Sequence, residues 1–224
     1  MNEYLMIIKD IFEGMFRPKK CFQSIYEREL SMKPLFVVVS IMGGLSLISM
    51  VRIQNSAISI NSGELPLYIL NNYENFELIL SSDLSNMIMQ VIYSLLITQL
   101  ISTCLLKLLV WVMKAEIEFK KCLILVCYSW GPNILASFLL TVLVLFMPVE
   151  KTMFAQGLFE IILGSSSLVY KCFRIVDPFY VWSIIVLVCY LGLFPSKSKN
   201  KKWHYWAFAV YLIPFLVNLM YLVS

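Results

Sequence analysis

The stretch over residues 177–202 constrains the fold of this chain more than any other part of the sequence. It begins at Asp177 and Pro178, carries no charged residue through Phe194, and then enters a loop with four lysines. Because hydrocarbon offers the backbone no hydrogen-bonding partner, an apolar run of this length is best accommodated as a helix that crosses a bilayer. Clustered lysines are typical of cytoplasmic loops, so the stretch predicts both a membrane span and its orientation.

The composition of the whole chain agrees with a membrane location. Its 224 residues are 60% hydrophobic and 14% charged, whereas a soluble domain is about half apolar and about a quarter charged. The 18 Lys and Arg residues only slightly outnumber the 14 Asp and Glu residues and lie between the apolar runs, which argues against nucleic acid as a partner. The chain is therefore predicted to be an all-α polytopic membrane protein in a lipid bilayer.

The cysteine and histidine content argues against a metal or cofactor site. None of the six cysteines forms a C-x-x-C pair, and the chain has one histidine, His204. A zinc site needs several such ligands at close spacing. The spans also offer no carboxylate pair and no Ser/His pair. We therefore expect no metal, no cofactor and no catalytic residue, and the protein is not predicted to be an enzyme.

Five apolar runs predict five transmembrane helices. Their approximate bounds are 34–53, 87–113, 122–147, 178–194 and 203–223. They form a predicted membrane domain over residues 34–224, preceded by a cytoplasmic amphipathic helical region over residues 1–33. Within that region, apolar residues recur at helical spacing from Tyr4 to Phe16 and again from Pro18 to Leu30. This pattern predicts two helices that lie in the membrane interface.

The distribution of basic residues predicts an N-in, C-out topology. With a cytoplasmic N-terminus, 13 of the 18 Lys and Arg residues lie in inner segments and 4 lie in outer segments, as the positive-inside rule requires. Lys107 lies inside a span, where its long stem would snorkel to the cytoplasmic interface. The short link from Lys114 to Lys121 predicts an antiparallel hairpin of the second and third spans. The roles of the outer segments, residues 54–86 and 148–176, stay open.

Small and polar residues in the first two spans predict close helix packing. Gly43 and Gly44 give the first span a small face, which allows another helix to approach. Gln99 and Thr103 are four residues apart in the second span and so share a helical face. Polar uncharged groups at this depth usually bond neighbouring helices, and a substrate path is the alternative.

The third span contains a predicted kink between Tyr128 and Asn133. Pro132 removes a backbone donor and Gly131 leaves room for a neighbouring helix. Asn133 would bond a carbonyl group that the kink frees, whereas in a transporter a broken helix of this kind would bind the substrate. Because no internal repeat supplies a matching second break, the structural interpretation is favoured.

The fourth span begins with three residues of distinct predicted roles. Phe179 and Trp182 are expected to fix the span at the outer interface. Asp177 would either cap the start of the helix or pair with Arg174, and the sequence leaves both roles open.

Three stretches resemble the Yip family of Ypt/Rab-interacting membrane proteins. Tyr128 to Pro132 (YSWGP) is similar to the family's G-Y-S-x-x-P element, with Cys127 where glycine is common. Asp177 to Trp182 (DPFYVW), followed by Gly192, is similar to its D-x-F-x-x-W entry into the fourth span. Phe16 to Lys20 (FRPKK) resembles the proline-plus-basic start of prokaryotic members.

The resemblance implies a five-span fold and a non-enzymatic role. The long cytoplasmic tail and the D-L-x-G-P segment of eukaryotic members are not matched, so Rab binding is not implied. The sequence more closely resembles a prokaryotic member in the plasma membrane. Family members act in vesicle trafficking and membrane shaping in eukaryotes, while some prokaryotic members resemble accessory subunits of export systems.

Two classes of function stay open. The first is a non-catalytic scaffold that binds another integral membrane protein, such as an ABC-type exporter or a toxin- or stress-defence complex, with a homo-oligomer as a further option. The second is a small-solute transporter or channel. Its path would be lined by Gln90, Gln99, Thr103, Ser129 and Asn133. The residues expected to contact a partner or another helix are Gly43, Gly44, Gln99, Tyr128, Gly131, Pro132, Asn133, Asp177, Phe179 and Trp182.

Overall fold

The computed structural model describes residues 3–26, 32–60, 84–147, 177–193, 205–206 and 209–211. Every regular secondary-structure element in this part of the chain is a helix, which confirms the predicted all-α class. The helices are α1 (Glu3–Phe16), α2 (Pro18–Tyr26), α3 (Lys33–Ile60), α4 (Leu84–Val112), α5 (Phe119–Ser129), α6 (Gly131–Phe146) and α7 (Pro178–Leu193).

Among the described residues, three helical segments are long and apolar enough to cross a membrane. They are Lys33–Arg52, Ile88–Val112 and Phe119–Phe146, and the apolar helix α7 is shorter. Their positions agree with the first four predicted spans to within a few residues. The fifth predicted span, over 203–223, and both predicted outer segments lie largely or wholly outside the described residues. Tyr211 of the fifth span is described, and its hydroxyl donates to the Ser102 carbonyl oxygen of α4.

Helices α4 and α5 form the predicted antiparallel hairpin. Helix α4 ends in a left-handed residue, Lys114 at φ 52°, and the Ala115 amide donates 2.9 Å back to the Val110 carbonyl oxygen. This is the pattern of a Schellman C-cap, with lysine at the position that glycine usually takes. The Lys107 ammonium donates 2.6 Å to the Ile117 carbonyl oxygen of the link. Its stem therefore reaches the end of the hairpin and closes it.

The third span breaks at Trp130, as the proline predicts. Trp130 has φ −79° and ψ 2° and separates α5 from α6. Its amide donates 3.3 Å to the Cys127 carbonyl oxygen, and the Ile134 amide donates 3.0 Å to the Trp130 carbonyl oxygen. Pro132 lies in the first turn of α6, where its missing N–H costs little because first-turn amides have no partner within the helix.

The small face of α3 packs against both α4 and α6. A side chain at Gly43 would lie in ordinary contact, 3.8 Å from Leu95 of α4. Further along α3, the Ser49 hydroxyl lies 3.1 Å from the Thr141 hydroxyl of α6, and Thr141 lies 3.2 Å from the Leu45 carbonyl oxygen. Such short hydroxyl bonds are typical glue between helices in a membrane.

Helix α5 lies at the centre of the core. All eight residues from Cys122 to Ser129 are buried, so no face of this part of the helix is left for lipid. Helices α1, α3, α4, α6 and α7 all contact it. A helix that is apolar on every side must be covered on every side, and here the N-terminal helix α1 supplies one of the covers.

Helices α1 and α2 pack into the bundle instead of only lying in the interface. Ile7, Ile11 and Met15 of α1 are buried, as are Cys21 and Phe22 of α2. The sequence pattern identifies an apolar face on each helix correctly. It does not distinguish lipid from protein as the partner of that face, because both are equally apolar.

Candidate functional site

The break in the third span forms a seat for the N-terminal helix. A Cβ atom on Gly131 would lie 2.5 Å from Met15 Cγ and 2.9 Å from the Ile11 backbone carbonyl oxygen. Real Cβ atoms essentially never approach other atoms so closely. Gly131 is therefore required because the α1 backbone passes directly over it. We call the contact of α1 and α2 with α5, α6 and α7 the N-terminal seat.

A second close approach joins α1 to α7. A Cβ atom on Gly14 would lie 2.0 Å from the Tyr190 hydroxyl oxygen and 3.5 Å from Cys21 Sγ. Tyr190 is completely buried, and its ring lies 6.2 Å from that of Phe22, measured between centroids. The phenol of α7 thus occupies the space that the missing side chain of Gly14 leaves between α1 and α2.

Polar groups lie inside the N-terminal seat. The Cys21 thiol donates 2.9 Å to the Asp10 backbone carbonyl oxygen and so joins α2 to α1. The residue Asp10 is itself buried, at 6% exposure. Burying a carboxylate costs free energy unless other groups bond it, so this position holds α1 in one orientation more strictly than apolar packing would.

Trp182 holds the C-terminal end of α1. Its indole Nε1 donates 3.2 Å to the Met15 carbonyl oxygen, and its ring meets the Phe16 ring edge-on at 5.4 Å between centroids. The bond satisfies one of the carbonyl groups that the last turn of a helix leaves without a partner. The other end of α1 is fixed by an exposed ion pair between Glu3 and Lys33, a type that contributes little to stability.

The Trp182 contacts show that two predicted placements cannot hold together. The sequence places Trp182 at the outer interface and the N-terminal region in the cytoplasm, on opposite sides of the bilayer. Because Trp182 touches Met15 and Phe16 directly, these residues lie at one depth and the two placements cannot both hold. An interfacial anchor and a protein-bound indole have the same sequence signature, namely an aromatic residue near the start of a span.

Asp177 caps α7. Its Oδ1 accepts a 2.9 Å hydrogen bond from the Phe179 amide, and its carbonyl oxygen accepts from the Val181 amide at 3.0 Å. This is N-cap geometry, with Pro178 in the first helical position. Of the two roles that the sequence left open, the structure shows the cap. Arg174, the other proposed partner, lies outside the described residues.

Gln99 lies in the core between α4 and α5, away from the N-terminal seat. It is 1% exposed. Its backbone carbonyl oxygen accepts a 2.7 Å hydrogen bond from the Thr103 hydroxyl, and Cys127 Sγ lies 3.9 Å from its side-chain Oε1. Thr103 and Ser129 are buried too. Within the described part of the chain these three polar residues are enclosed by the bundle, and Ser129 donates to the Val126 carbonyl oxygen of its own helix.

The remaining predicted residues fall into two groups. Tyr128, Gly131 and Pro132 are buried around the break and, with Trp182, surround the N-terminal seat. Gly44 has open space around it, and Asn133 is half-buried at the start of α6. Among the residues that the structure describes, no three His, Cys, Asp or Glu side chains are grouped as a metal site would need.

Sequence reasoning missed Gly14 and Tyr190 as members of the site. Glycine inside a helix costs about 0.5–1 kcal/mol relative to alanine. Gly14 within the periodic helix α1 was therefore a signal of close packing. Tyr190 gave no comparable signal, because a tyrosine near the end of an apolar span is most simply read as an interfacial anchor.

These features define a polytopic α-helical membrane protein whose N-terminal helices are built into its bundle. The model of the Yip1 domain matches residues 12–224, and the chain belongs to this family. The match begins within α1 and takes in all of α2, so it includes most of the N-terminal seat. No curated protein and no solved structure matches the chain.

Gly131→Ala should destabilise the protein by about 1–3 kcal/mol, the usual cost of overpacking a core. The added methyl group would meet the Ile11 carbonyl oxygen, which can move only with the α1 backbone. The control is Gly44→Ala, where the methyl group meets nothing within 4 Å and should be neutral or slightly stabilising. Thermal unfolding in detergent measures both. Equal midpoints for the two variants would show that α1 does not pass over Gly131.

Asp177→Ala should cost about 1 kcal/mol, the usual value of an N-cap. Asp177→Asn should cost much less, because an amide oxygen accepts the Phe179 amide as well as a carboxylate does. Thermal unfolding at low and high salt separates a cap from an ion pair. Loss of stability in Asp177→Asn as large as in Asp177→Ala would contradict the cap.

Proposed function

We propose that the protein is a non-catalytic membrane scaffold that binds another integral membrane protein. The observation that carries this proposal is the second apolar face of α1. While one face fills the N-terminal seat, the other presents Leu5 at 56% exposure, Phe12 at 38% and Phe16 at 69%. The same face carries the exposed ion pair of Lys9 and Glu13, and a helix packed on one face that presents such a mixed apolar and charged surface on the other is suited to helix-in-groove recognition.

The expected partner is a membrane protein because α1 packs into a membrane-spanning bundle. An ABC-type exporter subunit is the first candidate, because some prokaryotic family members resemble accessory subunits of export systems. A toxin- or stress-defence complex is the second. The setting would be the plasma membrane of a prokaryote, with the N-terminus cytoplasmic and the C-terminus outside. In that topology α1 would enter the bundle from the cytoplasmic face.

The residues Gly43, Tyr128, Gly131 and Pro132 serve this function indirectly. They are buried within the chain, so they position α1 and the spans and do not touch the partner. Recognition is then left to exposed surface, and a rigid, preorganised surface loses less conformational entropy on binding.

The transporter or channel alternative receives less support. Gln99, Thr103 and Ser129 would have to line its path, and each is at most 3% exposed. Gln90 is exposed but on the outside of the bundle helix α4. A path through these residues would require the α4–α5 packing to open.

The proposal predicts that truncating the outward face of α1 releases the partner. Leu5→Ala with Phe12→Ala should reduce the membrane protein recovered in gentle detergent by at least about fivefold, since a few exposed apolar anchors carry most binding energy. The matched control is Phe138→Ala with Phe146→Ala, two exposed phenylalanines on α6. Quantitative mass spectrometry of the purified complex identifies and counts the partner.

Three results would contradict the proposal. Recovery of lipid and further copies of this chain alone would leave no partner to scaffold. Equal loss in both double variants would mean that exposed apolar area in general, and not α1, holds the partner. Unchanged recovery in both would place recognition elsewhere on the bundle.

A further inference from the structure

An open cleft lies on the outer surface of the α4–α5 hairpin. It has a volume of about 320 Å³ and is lined by Cys104, Lys107, Leu108, Trp111 and Phe119. The walls come from one face of the last turns of α4 and from the first residue of α5. The cleft is separate from the N-terminal seat, which none of these residues contacts through a hydrogen bond or ring pair.

The cleft walls are apolar and open to the surroundings. Trp111 is 73% exposed, and Leu108 and Phe119 are exposed as well. In a chain with membrane-spanning helices, an exposed apolar surface of this kind is suited to contact with lipid acyl chains. The two aromatic rings lie at the hairpin end of α4, where aromatic side chains commonly meet lipid headgroups.

One charge lies among these apolar walls. Lys107 is half-buried, and one of its three ammonium N–H groups donates a hydrogen bond to the Ile117 carbonyl oxygen. Within the described part of the chain, no carboxylate oxygen forms an ion pair with it. Lys107 therefore lines the cleft with its apolar stem, and its ammonium, beside the Ile117 carbonyl oxygen, has two further N–H groups that can donate to an anion.

The link next to the cleft and the start of α5 also carry basic residues. Lys114 and Lys120 are exposed on the link and on the first turn of α5. Two carboxylates, Glu116 and Glu118, lie on the same link and are exposed as well. Four lysines between residues 107 and 121 outnumber these two glutamates, so the hairpin end carries a net positive charge.

We propose that this cleft binds an anionic phospholipid. One acyl chain lies along Leu108 and Trp111, the phosphate accepts a hydrogen bond from the Lys107 ammonium, and the lysines of the link and of the first turn of α5 attract its negative charge. Basic groups at a membrane surface each contribute about 1 kcal/mol to binding anionic lipid. The positive charge selects an anionic over a zwitterionic headgroup, and the apolar cleft selects a lipid over a soluble phosphate.

The site does not depend on the proposed partner. A protein that binds no other membrane protein can still hold lipid at this hairpin, and a scaffold can work without it. Lipid titration and partner recovery therefore report on separate claims.

The test is a lipid titration of the full chain in detergent, read by native mass spectrometry. Dioleoylphosphatidylglycerol should bind the wild-type protein with a Kd at least about fivefold lower than dioleoylphosphatidylcholine, as one lysine contact implies. Lys107→Gln should weaken this preference by about fivefold, the loss of one lysine contact, because glutamine keeps an N–H donor but carries no charge. The matched control is Lys9→Gln on α1, an exposed lysine paired with Glu13 at 3.7 Å, which should leave binding unchanged.

Two further arms separate the contributions. Trp111→Ala, at the most exposed wall residue, should weaken the binding of both lipids to the same extent. This result does not depend on whether Lys107→Gln folds. Soluble glycerol phosphate should not compete with the lipid. Equal binding of the two lipids by the wild-type protein would overturn the proposal. So would an unchanged preference in Lys107→Gln, or an equal loss in Lys9→Gln.

Discussion

The structure depends on the passage of one helix backbone over one glycine. At Gly131 the third span breaks, and the Ile11 carbonyl oxygen and the Met15 side chain occupy the space where any larger residue would place its Cβ. Pro132 adds little free-energy cost to the break, because it lies in the first turn of α6, where a backbone N–H would have no partner within the helix. The break thus provides both the space and the end of α5 against which α1 is held.

The consequences extend through the bundle. With α5 buried along its length from Cys122 to Ser129, the N-terminal helix has to complete the core. A similar close contact occurs at a second point, where the Tyr190 side chain of α7 occupies the space that the missing side chain of Gly14 leaves on α1. Trp182 then fixes the end of α1 by a directed hydrogen bond. Helix α1, which the sequence presents as an amphipathic pattern, thus forms one wall of the bundle core. Its opposite face is exposed.

Much of this architecture was predictable from the sequence, since long apolar runs, a short charged link and a proline within a span each have few structural solutions. The first four spans, the α4–α5 hairpin and the break near Pro132 follow in this way, whereas the sequence left the Asp177 cap open beside an ion pair. The seat of α1 did not, because periodicity identifies an apolar face without its partner. Trp182 was interpreted as an interfacial anchor for the same reason, because the sequence does not show that it bonds α1. Gln99 was predicted to contact a neighbouring helix, and its burial beside Cys127 depends on which faces of α4 and α5 meet.

The most direct test of the central claim is the accessibility of α2 beside α1. Cys21 is buried against Asp10, whereas its neighbour Lys20 is exposed. In membranes, a water-soluble maleimide should label a cysteine introduced by Lys20→Cys rapidly and Cys21 at least about tenfold more slowly, with peptide mass spectrometry as the readout. Both positions should label equally once detergent has denatured the chain. Equal labelling rates in the native membrane would contradict the account, because they would show that the N-terminal helices lie free of the bundle.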